Sequence, residues 1–290
     1  MDGIIIVHKE EGYTSHDVVA RLRHILGMKR IGHTGTLDPM ATGVLPVAVS
    51  RATRLVELLA DKDKSYEALM HLGVVTDTQD RTGTVLSESP VLADERQIEE
   101  ACLSFIGERD QIPPMYSALK IEGKRLYELA REGKTVSRKP RRVCFYDIKV
   151  KEISLPFVRL EVTCSKGTYI RTLLHDIGQV LGCGAMMEAL VRTRVGEFSL
   201  SQAHTLDEIQ SCVSAGCDKE LYIGIEEVLK AYPRMVCPES QDKRLLNGNP
   251  LVLEGGQEAE RVRMCTSDGV FRGLYEYNGS QGLFRPVKIF

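Results

Sequence analysis

The sequence predicts an α+β protein made of a large N-terminal domain and a small β-rich C-terminal domain. Over residues 1–232, short apolar runs typical of strands are interspersed with amphipathic segments of helical spacing. Over residues 233–290, short strand-like runs are separated by turn dipeptides: Asn247-Gly248, Gly255-Gly256, Asp268-Gly269 and Asn278-Gly279. Short strands with many turns are typical of a small β-barrel, so we expect one there.

The chain begins with a predicted strand and a capped helix. Ile4–Val7 is apolar throughout, as in a buried strand. Thr14 and Asp17 then have the spacing of a capping box, and apolar residues recur at helical spacing until Gly27 ends the helix. A glycine-rich loop, Ile31 to Pro46, follows this helix.

The later elements of the large domain follow the same two periodicities. Predicted strands are Val44–Val49, Ser65–Val75, Val143–Ile153, Phe157–Ser165 and one near Val195–Leu200; predicted helices are Ala52–Ala60, Asp94–Ile106, Tyr169–Leu181 and two short acidic helices before residue 232. The segment Ile112–Gly133 starts with two prolines, ends in a basic helix and has little apolar periodicity. We therefore expect a protruding arm over about residues 111–142.

Composition places the chain among ordinary globular proteins. It has 290 residues, 43% of them hydrophobic and 27% charged. The apolar run at the start is too short for a signal peptide or a membrane span, so we expect a cytoplasmic protein without a membrane partner. Eight dispersed cysteines without a Cys-x-x-Cys pair argue against a zinc site and a disulfide framework, and indicate reduced thiols.

Positive charge is concentrated locally, although the net charge is only −2. The segment Lys120–Arg142 holds nine Lys and Arg against three Glu. Such a local footprint indicates either a polyanion-binding surface or a solvated helix face, and the run alone does not decide between them.

A single acid, Asp38, lies in the glycine-rich loop. Gly32, Gly35 and Gly43 let the backbone turn tightly and let a ligand approach closely, while Pro39 biases Asp38 towards an extended conformation. The segment before it, Arg21–His33, holds four Lys and Arg and no acid. This arrangement suits a catalytic carboxylate presented to an anionic substrate; the alternative is an Asp-Pro that opens a turn.

Four more segments stand beside this loop: Lys64–Gly83, Ile112–Gly133, Ser165–Gly178 and Ala189–Gly196. Together, and in this order, the five segments resemble the bacterial tRNA pseudouridine-55 synthases, the TruB-type family. The resemblance implies a catalytic domain over residues 1–232, with a mixed, largely antiparallel sheet flanked by helices and a protruding thumb arm. It also implies that residues 233–290 form a PUA-like RNA-binding barrel.

The resemblance implies three catalytic residues. Asp38 matches the family's catalytic aspartate, and Arg171 the arginine that pairs with it, an arrangement that lowers an aspartate pKa by about 1–3 units. Tyr66 matches the tyrosine that stacks on the target base and helps to move the C5 proton. Without the motifs, Arg171 reads as a helix ion pair and Tyr66 as an ordinary strand aromatic.

Five further residues are implied to bind the substrate. Leu190 matches an apolar residue against the other side of the base, and His33 the residue that replaces the extruded base in the stack. Tyr116 and Lys120 of the arm would contact RNA. Lys9 belongs to an opening motif that departs from the family, because His8 replaces its acid and Glu10 its proline.

The function implied is isomerisation of uridine to pseudouridine at position 55 in the T loop of tRNA. The target must be flipped out of its stack, and the chemistry needs no cofactor and no metal. The implied partner is the T stem-loop of tRNA, and we expect a monomer. Two alternatives remain: a tRNA-binding folding factor, and a synthase of the same scaffold that acts on another RNA.

Overall fold

One ten-stranded mixed sheet frames the large domain in the computed structural model, which describes residues 2–121 and 123–290. The strands of the chain are β1 Gly3–Lys9, β2 Ile31–His33, β3 Thr42–Val49, β4 Lys64–Leu72, β5 Val74–Thr76, β6 Val85–Glu88, β7 Gly107–Gln111, β8 Lys120–Ile121, β9 Lys124–Arg125, β10 Arg141–Ser154, β11 Phe157–Cys164, β12 Ala185–Val195, β13 Phe198–Ser199, β14 Ile223–Gly224, β15 Arg234–Val236, β16 Arg261–Cys265, β17 Phe271–Asn278 and β18 Leu283–Ile289.

Helices cover both faces of this sheet. The helices within the described residues, including α4 in the arm and α8 beside the C-terminal sheet, are α1 Ser15–Leu26, α2 Val56–Ala60, α3 Glu95–Leu103, α4 Leu126–Arg131, α5 Ile170–Val180, α6 Leu206–Ser214, α7 Ile225–Val228 and α8 Glu239–Leu246, with 3₁₀ turns at Ser50–Leu55, Leu200–Gln202 and Asp218–Leu221. One core cluster packs α3 and α5 on β4, β10, β11 and β12, and another packs α1 and α6 on β1 and β3.

The sheet order is β14-β1-β3-β12-β4-β11-β10-β7, with β2 paired to β3 and β13 to β12. Along this path the β3–β12 pair is parallel and the other pairs are antiparallel. The predicted α+β class and the mixed, largely antiparallel sheet are confirmed. The parallel pair brings the glycine-rich loop, which leads into β3, next to β12.

Local sequence signals locate most helices correctly. Thr14 and Asp17 form the predicted capping box of α1, and Gly27 ends the helix with φ +62°. The region Ala52–Ala60 is helical as predicted, but it begins as the 3₁₀ turn before α2. The predicted strand Ser65–Val75 is divided into β4 and β5 at Gly73, where φ is +88°.

The strand predicted near Val195–Leu200 is wrong in position. The long strand there is β12, which ends at Val195, and only two residues of the predicted range pair again as β13. Charged residues such as Glu188, Arg192 and Arg194 interrupt the apolar alternation of β12 and hide it from a periodicity argument.

The C-terminal residues form a separate small sheet, as predicted, in the order β15-β16-β17-β18. Leu251 bridges to Phe284 on β18 and extends this sheet. Leu274 of β17 is completely buried in a cluster with Ile4, Ile6 and Leu55 of the large domain. The two sheets therefore share a core, while the barrel closure, the PUA likeness and the boundary at residues 232 and 233 stay predictions.

Two cysteines lie next to each other where α6 ends. The Cα atoms of Cys212 and Cys217 are 5.1 Å apart, and the expectation of reduced thiols stays a prediction. Gly216, at φ +75°, turns the chain back after α6 and brings the two residues together. The remaining cysteines are free thiols. None of the helices in the described ranges has the length and apolar content needed to cross a lipid bilayer.

Candidate active site

A cavity of about 330 Å³ lies at the ends of several elements of the main sheet. The glycine-rich loop, β4, the arm, the start of α5, and β12 all contribute side chains to its wall. Four of the eight predicted site residues line this cavity: Asp38, Tyr66, Arg171 and Leu190. They come from four separate segments, so the fold brings together what the chain keeps apart.

Hydrogen bonds and buried side chains hold the loop that carries Asp38. The amide of Leu37 donates to Ser15 Oγ on α1 at 3.0 Å, and the amide of Ala41 donates to the carbonyl of Asp38 at 3.0 Å. The side chains of Leu37 and Met40 are buried in the core. The loop is thus anchored on both sides of Asp38, whose side chain keeps 35% of its surface exposed.

Arg171 lies directly against the Asp38 carboxylate. Its Nη2 is 2.9 Å from Asp38 Oδ2, and the arginine side chain is only 5% exposed. It projects from the first turn of α5, and the residue before that helix, Tyr169, is held by Gln111, whose side chain accepts from the Tyr169 amide at 2.8 Å and donates to its carbonyl at 3.0 Å. The Asp38–Arg171 pair expected from the sequence is present in the structure.

A second carboxylate, Asp80, contacts the same guanidinium and was not found from the sequence. Arg171 Nη1 lies 3.3 Å from Asp80 Oδ2, and the Asp80 side chain is 4% exposed. Asp80 Oδ1 accepts from Thr78 Oγ1 at 2.8 Å and from the amide of Thr82 at 3.0 Å. Asp80 lies within the Lys64–Gly83 segment that the sequence singles out. Asp77 precedes it by three residues, and the sequence alone does not tell which of the two carboxylates faces inward.

The pKa of Asp38 shifts in the opposite direction to the one predicted. Burial raises the pKa above its ordinary value, the nearby charge of Asp80 raises it further, and Arg171 acts in the predicted, lowering sense. The net shift is upward because desolvation of the carboxylate outweighs the arginine. The ion pair alone would lower the pKa, and the cost of burying the carboxylate reverses that direction.

Tyr66 and Leu190 form apolar walls of the cavity. Tyr66 lies on β4 and is 7% exposed, and Leu190 lies on the neighbouring β12 and is 8% exposed. Burial raises the pKa of Tyr66 to about 12, although the nearby Arg192 opposes this change. The hydroxyl is therefore protonated at neutral pH in the free protein. Leu190 belongs to the core cluster as well as to the cavity wall.

The arm lies over the cavity instead of projecting freely. Ser117, Ala118 and Leu119 line the cavity, and the carbonyl of Tyr116 accepts from Arg171 Nη2 at 2.7 Å. Tyr116 thus touches Arg171 through its backbone, and contact of its side chain with RNA stays a prediction. Lys120 is exposed on β8, beyond the cavity.

His33 ends β2 just before the cavity-lining residues and is half-buried. Its Nδ1 accepts from the amide of Gly35 at 3.3 Å, and its ring meets that of His16 edge-on at 5.5 Å. Burial, with smaller effects of His16 and Arg192, lowers the His33 pKa. The histidine is therefore positioned at the rim, and its insertion into an RNA stack stays a prediction.

Lys9 differs from the expectation that it binds substrate. It is completely buried, and its Nζ donates to the carbonyls of Glu10, Tyr13 and Pro39 at 3.0, 2.6 and 3.2 Å. Burial lowers its pKa to about 8, against the favourable charge of Asp38. Lys9 thus holds the altered opening turn against the residue that follows Asp38, and in this structure it has no surface for a ligand.

Over residues 2–121 and 123–290, no cluster of three or more His, Cys, Asp or Glu side chains has the arrangement of a metal site. The ionisable side chains that line the cavity are instead the Asp38 carboxylate paired with Arg171, a second buried arginine, and one lysine and two tyrosines: Arg192, Lys64, Tyr66 and Tyr169. These groups suit nucleophilic or acid–base chemistry.

Two family descriptions match adjacent parts of the chain. Residues 23–170 match the N-terminal domain of the TruB family pseudouridylate synthases, and residues 171–236 match the tRNA pseudouridylate synthase B C-terminal domain. The chain belongs to the TruB family. The resemblance seen in the sequence is confirmed, and with it the enzyme class, a pseudouridine synthase. The two matches meet between Ile170 and Arg171, so the cavity of this TruB-family enzyme draws on both.

Individual TruB relatives match over the whole chain. The tRNA pseudouridine synthase B of Lachnoclostridium phytofermentans is 44% identical, and that of Clostridium kluyveri is 45% identical, each with 100% of both chains covered. Among solved structures, a chain of an H/ACA RNP bound to a substrate RNA containing 2′-deoxyuridine superimposes with a TM-score of 0.75 at 28% identity, covering 99% of this chain and 84% of that one.

Proposed function

We propose that this TruB-family enzyme converts the uridine at position 55 in the T loop of tRNA to pseudouridine, acting in the cytoplasm as a monomer. The observation that carries the proposal is the Asp38 carboxylate, open to the cavity and 2.9 Å from the buried Arg171. Relatives that are 44% and 45% identical over their full lengths carry the name tRNA pseudouridine synthase B, which supports tRNA as the substrate.

The isomerisation breaks the bond from N1 of the base to C1′ of the sugar and forms a bond from C5 to C1′. The proton lost from C5 is balanced by a proton gained at N1, so no oxidant, reductant or co-reactant is consumed. Ionised Asp38 supplies the required nucleophile or base, and Arg171 holds it in position. Asp38 acts in one of three ways: by attacking the sugar, by attacking the base, or by removing a sugar proton.

Base flipping follows from the depth of this site. Tyr66 is 7% exposed and Leu190 8% exposed, so a base stacked in a folded loop does not reach the space between them. Extruding a nucleotide costs a few kcal/mol, which contacts inside the pocket must offset. Tyr66 offers an aromatic surface to one side of the base, and Leu190 an apolar surface to the other.

Recognition is expected to combine shape with phosphate contacts. RNA specificity is read mainly from loops whose bases are splayed out and stacked. Lys120 and Lys124 are exposed on the arm next to the cavity, where they suit the RNA backbone. We expect His33, which lies just before the cavity-lining residues, to fill the gap left by the flipped base.

The two alternatives make different demands on Asp38. A folding factor that only grips tRNA does not need a carboxylate paired with a buried arginine, so the Asp38–Arg171–Asp80 arrangement favours catalysis. A synthase that acts on another RNA would use the same site. The higher identity to relatives named for tRNA than to the H/ACA RNP chain favours tRNA.

The test maps pseudouridine in tRNA from a strain that lacks this gene, complemented with the wild-type chain or with Asp38→Asn. We expect position 55 to lose the modification, wild type to restore it and Asp38→Asn to fail. Unchanged modification in the deletion strain would point to another RNA. Growth defects rescued equally by Asp38→Asn would point to a folding factor.

A second experiment locates the recognition elements. A hairpin of the T stem and loop alone, incubated with the purified chain, should be modified at the position equivalent to 55. An unmodified hairpin beside a modified full tRNA would show that recognition needs the rest of the tRNA.

A further inference from the structure

Arg192 on β12 is a buried cation without a role in the proposed reaction so far. The residue is 2% exposed, and its side chain is among the largest that the protein buries fully. Within residues 2–121 and 123–290 no carboxylate lies within ion-pair distance of it. Its hydrogen bonds go to backbone carbonyls: Nε donates to Val44 at 2.7 Å, Nη1 to Thr36 at 3.4 Å and Nη2 to Gly35 at 3.3 Å.

These three carbonyls flank the catalytic aspartate. Gly35 and Thr36 precede Asp38, while Val44 lies beyond it on β3, where the loop has re-entered the sheet. One planar guanidinium therefore ties the two ends of the Asp38 loop to each other and to β12. The planar guanidinium of arginine holds N–H donors in fixed, different directions and can reach all three carbonyls. The ammonium of lysine has its donors on one nitrogen atom and cannot span them.

Arg192 also faces the second reactive side chain. It is the direct cross-strand partner of Tyr66 in the antiparallel β4–β12 pair, and both side chains line the cavity. The positive charge of Arg192 lowers the pKa of Tyr66, against the larger effect of burial. A single side chain thus links the loop of Asp38 to the strand of Tyr66.

Stability alone does not account for a residue of this kind. Removing a charge from water costs several kcal/mol unless good partners replace the water, and an apolar side chain of similar volume often stabilises a core as well or better. Arg192 has carbonyl partners and the tyrosine, without an anionic counter-ion in the described chain. What arginine adds is fixed geometry between the two ends of the loop.

We infer that Arg192 is a positioning residue, which fixes the Asp38 loop relative to Tyr66 so that both side chains address the same base. The inference rests on the proposed function, since it assigns Arg192 a part in that reaction. It concerns the rate of the chemical step and not the binding of RNA, because Arg192, although part of the cavity wall, is only 2% exposed and its guanidinium is bonded to the loop carbonyls.

The test compares Arg192→Lys with Arg194→Lys in single-turnover pseudouridine formation. Arg194 lies two residues further along β12, is half-buried and bonds Ser65 Oγ and the Gly196 carbonyl, outside the cavity wall. For Arg192→Lys we expect the rate to fall by about 100-fold, as for a small misplacement of reacting groups, with RNA affinity within about threefold. For Arg194→Lys we expect both quantities within about threefold of wild type.

Hydrogen exchange supplies a readout that does not depend on activity. The amides of Thr34, Leu37 and Ala41 are bonded in the loop, and in Arg192→Lys they should exchange faster, while amides of β10 and β11 keep their rates. If wild type makes no pseudouridine, the proposed function fails, yet this exchange result still decides whether Arg192 holds the loop.

Arg192→Gln is the second variant, because its neutral amide removes the charge and still offers one donor to a loop carbonyl. A folded Arg192→Lys or Arg192→Gln chain that turns over within threefold of wild type would overturn the inference. So would unfolding of both variants, since Arg192 would then serve general stability. A rate loss matched by an equal loss of RNA affinity would also count against it.

Discussion

The guanidinium of Arg171 lies 2.9 Å from the carboxylate of Asp38 and is itself almost completely buried. On its other side it meets Asp80 at 3.3 Å, and the carbonyl of Tyr116 at 2.7 Å. One cation is thus shared between a carboxylate that faces the cavity and one that faces the core. This sharing leaves Asp38 less strongly neutralised than it would be in an isolated pair.

Asp38→Asn should remove pseudouridine formation almost completely and leave tRNA binding intact. An amide has nearly the same shape as the carboxylate but is neither nucleophile nor base. Single-turnover assays and a binding titration measure the two effects separately. A rate above a few per cent of wild type would contradict the assignment of Asp38.

On acidification, activity should be lost at a pH above the ordinary pKa range of an aspartate. We call this part of the pH–rate profile the acid limb. Burial raises the Asp38 pKa from the usual 3.8, and in the proposed reaction the ionised form is the active one. Activity is therefore full above the raised pKa and is lost as the pH falls through it. Single-turnover rates across an acid pH series measure this; a midpoint at or below 3.8 would contradict the upward shift.

Asp80→Asn should move that acid limb to lower pH. The charge of Asp80 raises the Asp38 pKa, so its removal lets Arg171 act on Asp38 alone and lowers the pKa. The variant should also lose about 1–3 kcal/mol of stability, since a charged hydrogen-bond acceptor is removed from a buried network. Asp77→Asn is the control. A limb that moves to higher pH in Asp80→Asn would refute the charge argument.

Tyr66→Phe and Tyr66→Leu separate the hydroxyl from the ring. Phe keeps the stacking surface and loses the hydroxyl, while Leu loses both. If the hydroxyl helps to move the C5 proton, Tyr66→Phe should bind RNA normally and turn over slowly, and Tyr66→Leu should also bind less well. Wild-type turnover of Tyr66→Phe would leave Tyr66 as a stacking surface alone.

RNA binding should weaken steeply with salt although the protein is slightly acidic. Each phosphate contact adds about 0.7–0.9 to the slope of log affinity against log salt. Replacing Lys120, Lys124 and Arg125 together by Ala should therefore lower that slope by about 2–3 if each contacts a phosphate. Lys149 and Lys151, exposed on β10, serve as the control pair. Equal slopes for the arm variant and wild type would place the RNA elsewhere.

The sequence predicted the residues of the site better than it predicted the strands of the sheet that positions them. The order of the motifs led to the prediction of four site residues, and all four line one cavity: Asp38, Tyr66, Arg171 and Leu190. The strand that carries Leu190 was missed, because a central strand with charged residues lacks the alternation of a half-buried one. The parallel pairing of β12 with β3 joins residues far apart in the sequence, and local periodicity does not predict such contacts.

The buried charges show where sequence reasoning ends. Lys9 is predicted to bind substrate from its place in the opening motif of the family, yet it is completely buried and donates to three carbonyls. Asp80 and Arg192 both stood in segments that the sequence singled out, but their depth depends on how those segments dock. Burial also reversed the expected direction of the Asp38 pKa shift.

Gly43 lies where β3 and β12 run side by side, and its φ is +103°. A Cβ atom there would overlap the backbone carbonyl of Arg192 and lie 2.9 Å from its nitrogen. The added Cβ is fixed to the main chain of residue 43, and the atoms that it would meet belong to the main chain of Arg192, so no change of rotamer relieves the overlap. In a library that samples every amino acid along this loop, position 43 should therefore tolerate glycine alone, although it does not line the cavity. Its invariance among functional clones would reflect architecture and carry no information about chemistry.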